Sequence, residues 1–211
     1  MTAIPSALRE PWESLADQRR VSRFGMWAFI ASEVLFFGAI LMAYTYVRTL
    51  HPAAFVAAAH ETNLWFGGAN TAILITSSFT MVMGSKAADL DLRSTAAALL
   101  AVTAALGVAF LVVKGFEYRE DINERLVPGQ DFKLADPAAQ IFFSFYWGIT
   151  GIHALHLTIG IALVGRLAWL LWRNRLGTRS PQIEVTSLYW GFVDMVWITV
   201  FPLIYLAGAR S

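Results

Sequence analysis

The chain has 211 residues, 57% of them hydrophobic and only 15% charged, with a formal net charge of +1. That balance excludes an ordinary soluble domain and leaves no basic field to attract nucleic acid, so the chain reads as an integral membrane protein. Cysteine is absent, which excludes disulfides, thiolate metal sites and a cysteine nucleophile.

Residues 1–23 are polar and of mixed charge, carry Pro5 and Pro11, and contain no early apolar run. They read as a retained cytoplasmic N-terminal segment, not as a cleaved signal peptide. Apolar runs long enough to cross a hydrocarbon layer of about 30 Å follow at 24–47, 64–85, 94–116, 141–172 and 186–207. Lipid offers no partner to a free backbone amide, and the runs lack the alternation of barrel strands, so each is expected to be helical. The predicted fold class is all-α: a polytopic bundle of five transmembrane helices over residues 24–207, with a tail at 208–211. The fourth run is longer than the bilayer needs, which predicts tilt or projection from the membrane. Ahead of it, Pro128-Gly129 marks a turn, and Asp136 with Pro137 predicts an N-cap and a first helical residue.

With the N terminus in the cytoplasm, that side receives Arg9, Arg19, Arg20, Arg23, Lys86, Arg93, Arg166, Arg173, Arg175 and Arg179. The other side receives Arg48, Lys114, Arg119, Arg125, Lys133 and Arg210. Ten cations against six predict a cytoplasmic N terminus and an external C terminus by the positive-inside rule.

Ionisable groups within the spans are costly and point to function or to a partner. The first span contains Glu33, the fourth His153 and His156, and the fifth Asp194, with Glu184 just before it. Counted from the cytoplasmic end at about 1.5 Å per residue, Glu33, His156 and Asp194 each fall about 12 to 15 Å deep. Glu33, His156 and Asp194 are expected to share one polar layer, partnered directly or through water or lipid headgroups. His153 and His156, at i and i+3, could hold a metal together, but a metal needs three or four ligands and the other histidines, His51 and His60, lie in a loop. No metal, no haem and no catalytic residue is therefore expected in this chain. His153, Trp190, Trp197 and Glu184 are expected to serve lipid contact or structure. Asn70, Ser77 and Ser78 on the second span are expected to support close helix packing.

Five stretches in order resemble subunit III of the haem-copper respiratory oxidases, in its five-helix bacterial form. The first span carries Trp27, Phe29, Ser32-Glu33, Phe36-Phe37 and Ala43-Tyr44; the second carries Asn70-Thr71 and Ser77-Ser78. The third ends in Glu117-Tyr118, the fourth contains Thr150-Gly151, His153, His156 and Gly160, and the fifth runs Tyr189-Trp190-Gly191-Phe192-Val193-Asp194 to Trp197. The resemblance covers about residues 22 to 207. Gly191 departs from it, standing where the family usually has His, and the ending from Phe201 to Leu206 is similar to subunit-III-like proteins associated with nitric oxide reductases.

The resemblance implies an accessory role in O2 reduction, with haem and copper in partner subunits and none here. It implies contact with subunit I, with subunit II and a further small subunit nearby, bound phospholipid, and electrons from cytochrome c or quinol through other subunits. It also implies a bacterial cytoplasmic membrane, support of proton uptake with Glu33 as the matching intramembrane carboxylate, and protection of turnover. From the residues alone, the rival is an independent proton-coupled transporter. Five unequal spans without internal symmetry speak against it.

Overall fold

The computed structural model describes residues 14–206, and all regular structure among them is helical. Six helices follow in order: α1 (Leu15–Leu50), α2 (Pro52–His60), α3 (Leu64–Asp89), α4 (Arg93–Asn123), α5 (Pro137–Trp172) and α6 (Pro181–Ile204). Five of them, all but α2, are long and apolar enough to cross a membrane. The tail at 208–211, residue 207, and Pro5, Arg9, Pro11 and Arg210 lie outside the described residues.

The helix ends follow from local chemistry. Ser14 caps α1 by accepting from the Asp17 amide at 3.1 Å, and Asn63 caps α3 through the Trp65 amide. Asp136 accepts from the Ala138 amide at 2.8 Å, with Pro137 as the first helical residue of α5. Three helices end without glycine: Asp91, Arg125 and Asn174 adopt left-handed backbone after α3, α4 and α5. In each case the next two amides turn back onto the last carbonyls, as with Asp91 N on Ala88 O at 3.0 Å and Leu92 N on Ala87 O at 2.9 Å.

Two features go beyond the hydropathy pattern. α1 begins at Leu15 and runs as one helix of 36 residues, well before the apolar run at 24. α5 also has 36 residues, about 54 Å at 1.5 Å each, so both project past a hydrocarbon layer of about 30 Å. The connection after α1 contains α2, whose Phe55 is fully buried with its ring 5.5 Å from both Tyr44 and Phe142.

The core lies among α3, α4, α5 and α6: α3 packs most extensively on α4, α4 on α5, and α6 sits against α3, α5 and α1. Close approach rests on small residues. A Cβ at Gly107 would fall 2.7 Å from Ile161 and 2.8 Å from Trp190, and one at Gly160 would fall 3.2 Å from the same indole. Trp190 and Trp197 are fully enclosed. α1 is peripheral, with 11% of its most apolar stretch buried against 50% for α6. Phe24, Trp27, Leu35 and Met42 on α1 are exposed, as suits side chains solvated by lipid or a partner helix.

Candidate functional site

Glu33 on α1 meets His156 on α5, Nε2 to Oε2, at 3.2 Å. The Nδ1 atom of His156 lies 2.9 Å from the Ile152 carbonyl oxygen. A carbonyl can only accept, so Nδ1 carries a hydrogen and Nε2 of the neutral ring is an acceptor. The contact with Glu33 therefore needs one proton, either on the imidazole or on the carboxyl. Phe37 stands 5.4 Å from the imidazole, edge to face, and Tyr189 donates to the His156 carbonyl at 2.9 Å. The pair sits at the rim of the bundle, its side chains 16% and 19% exposed.

Asp194 takes a partner of its own. It is buried on α6 and accepts at Oδ2 from the Ser78 hydroxyl of α3, while Oδ1 has no hydrogen-bond partner among the described residues. The remaining hydroxyls of the α3 face stitch that helix to its neighbours. Trp190 Nε1 donates to Ser77 Oγ at 3.2 Å, Trp197 Nε1 donates to Thr71 Oγ1 at 3.1 Å, and Thr80 and Thr103 lie 2.8 Å apart. Asn70 is fully buried with neither amide atom paired among the described residues.

The two histidines of α5 face different surroundings. His153 points inward, its ring 5.2 Å from Trp197 and 5.7 Å from Phe110, with neither nitrogen hydrogen-bonded among the described residues. Among the described residues no group of three or more His, Asp or Glu side chains is arranged to hold a metal ion. Glu184 lies at the opposite end of α6 from Ile204 and meets Arg23 of α1 at 2.5 Å. The two border a cleft of about 300 Å³ shared with Arg19, Lys86, Asp89 and Ser180.

A third polar group was not singled out from the sequence. Lys114, Glu117 and Asp121 follow at i, i+3 and i+7 along α4, and all three are buried. Lys114 Nζ donates to Tyr146 Oη at 3.0 Å and to Tyr205 Oη at 2.7 Å, and lies 3.1 Å from Glu117 Oε2. The same ammonium stands 4.6 Å from the Tyr146 ring centre and 4.8 Å from that of Tyr118. The signal was present, since the spacing puts three charged residues on one face of a helix. The tyrosines that hydrogen-bond to them, Tyr146 and Tyr205, come from α5 and from the end of α6.

Outside the spans, ion pairs fix the loops. Lys133 reaches Glu61 at 2.5 Å and Glu124 at 3.4 Å, and the Glu61 hydrogen bond holds its ammonium above the usual lysine range. Asp91 accepts from the Thr178 hydroxyl and pairs with Arg179 at 2.9 Å. The Thr178 bond is the main cause holding that carboxyl below the usual carboxylate range, with the Arg179 charge adding to it.

Five apolar helices with ionisable side chains paired inside them define a multi-pass membrane protein, and comparison with known proteins gives its family. The family model described as cytochrome c oxidase subunit III matches residues 16–209, so the chain belongs to that family. It is 33% identical to cytochrome c oxidase subunit 3 of Synechocystis, over 87% of this chain and 74% of that protein. It is 29% identical to cytochrome bo(3) ubiquinol oxidase subunit 3 of Pseudomonas aeruginosa, over 88% of this chain and 85% of that one. A heme-copper oxidase subunit I+III of Aeropyrum pernix is 34% identical over 87% of this chain, which spans 22% of that longer protein.

Proposed function

We propose that the chain is an accessory, non-redox subunit of a proton-pumping haem-copper terminal oxidase in a bacterial cytoplasmic membrane, with its N terminus inside. It stabilises the catalytic subunit, holds lipid and supports proton uptake. Its direct partner is subunit I, with subunit II and a further small subunit in the same assembly. The relative named subunit I+III supports that contact, because there the two units are one chain. Relatives named for cytochrome c and for ubiquinol keep both electron donors in play, and the oxidase names favour O2 over nitric oxide as the acceptor.

The observation that carries the role is the Glu33–His156 pair. A carboxyl and an imidazole sharing one proton at the bundle rim can pass or hold that proton without any redox centre. An anionic phospholipid headgroup in the cleft beside Glu184 would meet Arg19 and Lys86, with Arg23 paired to Glu184 and Asp89 also on the wall. Affinity purification of the tagged chain from its own membrane tests the assembly. The eluate is expected to show haem absorption in proportion to the chain, and a haem-free eluate from mildly solubilised membranes contradicts the reading.

A further inference from the structure

The Lys114 group lies at the end of the bundle away from Glu184, where the last turns of α4 and α6 meet the start of α5. Its hydrogen count is open. Lys114 donates to both phenol oxygens, and Tyr205 donates its own hydrogen to Glu117 Oε1 at 2.6 Å. Tyr146 has a single hydroxyl hydrogen but two carboxyl oxygens within reach, Glu117 Oε1 at 2.9 Å and Asp121 Oδ2 at 2.6 Å. With both carboxyls ionised, one of those contacts would set lone pair against lone pair. The second Glu117 oxygen, on a residue 1% exposed, is close to the ammonium but receives no directed hydrogen bond. One ammonium against two carboxylates also leaves an uncompensated negative charge on largely buried side chains, which is costly.

One added proton on the carboxyl pair removes both difficulties. Carried on Asp121, it points to Tyr146 Oη, whose own hydrogen turns to Glu117, and the group becomes neutral. A concerted shift along Asp121, Tyr146 and Glu117 moves the proton between carboxyls with no heavy-atom rearrangement, so it belongs to the pair. Asp121 is also the route out. Of the carboxyls in the network, it borders a cleft of about 310 Å³ lined with His60, Glu61, Glu120 and Glu124. The groups facing Asp121 are Lys114, Glu117 and Glu120 of its own helix, Tyr146 of α5, and the cleft residues, of which Glu61 and Glu124 are paired with Lys133.

We infer that Glu117 and Asp121, bridged by Tyr146, hold one exchangeable proton that loads from and returns to this cleft: a proton-storing site separate from the Glu33–His156 pair. Infrared difference spectra between acidic and alkaline pH, taken on the full-length protein as isolated from its membrane, test it. The wild type is expected to show a protonated-carboxyl stretch that moves in D2O. One component of that band is lost in Asp121→Asn, is retained in Glu120→Gln, and is displaced in Tyr146→Phe, which removes one hydroxyl and no charge. Acid–base titration is expected to find one proton fewer taken up by Asp121→Asn than by wild type. An Asp121→Asn spectrum that matches the wild type throughout the protonated-carboxyl region overturns the inference, as does an Asp121-dependent component that keeps its wild-type position in Tyr146→Phe.

Discussion

At Glu33 the structure turns a costly residue into a specific one. Its carboxyl lies 3.2 Å from His156 Nε2, so Glu33→Gln keeps the shape and one hydrogen-bonding contact but removes the ionisable group. The variant is expected to insert and assemble, with proton uptake slowed several-fold or turnover less durable, as read by proton-uptake kinetics on the assembled complex. Wild-type kinetics throughout would reduce the pair to a packing contact. Asp91 gives a prediction in the opposite chemical setting, in water between α3 and α4. Its folded carboxyl is held below the usual range by Thr178 and Arg179, so its contribution is present above the unfolded value of about 3.9 and is lost as pH falls through the lower folded value. Asp91→Asn tolerates the left-handed backbone at this position. It is expected to lower the midpoint of thermal unfolding at neutral pH, with the gap to wild type closing in acid. A gap that widens in acid contradicts the assignment.

Among the helices, the small residues decide how closely the core can pack. A methyl at Gly107 meets Ile161 and Trp190 below 3.0 Å, so Gly107→Ala is expected to destabilise by about 1–3 kcal/mol, seen as a lower unfolding midpoint in detergent. Gly191→Ala, where nothing lies within 4 Å, is expected to cause no loss and serves as the control. A larger side chain at Gly191 would meet open space, and the structure gives no reason for glycine at this position. Hydropathy made the five long helices legible, because a span advertises itself by length and by the absence of charge. It could not show α2, whose nine residues are too few to stand out, nor the start of α1, where Ser14 and polar turns extend a helix beyond its apolar run.

At the scale of the whole molecule, contacts between helices were the least legible part, since they depend on how each helix is rotated and which neighbour it meets. Glu33 and His156 were readable as a candidate pair from their common depth, and the structure brings them together. Asp194 was placed in the same layer, yet its bond goes to Ser78 on α3, a choice that depth cannot reveal. Lys114, Glu117 and Asp121 showed their helical spacing, but Tyr146 and Tyr205 lie far away in sequence and complete the group through the fold alone.

We propose that this chain sustains proton movement in a redox assembly whose chemistry lies in other subunits. This role is tested most directly by reconstituting the purified oxidase in vesicles with and without the chain, and following protons pumped per electron over repeated turnovers. O2 reduction is expected to start at the same rate in both, while the preparation lacking the chain is expected to pump fewer protons per electron and to inactivate sooner. Equal pumping and equal endurance in the two preparations would contradict it.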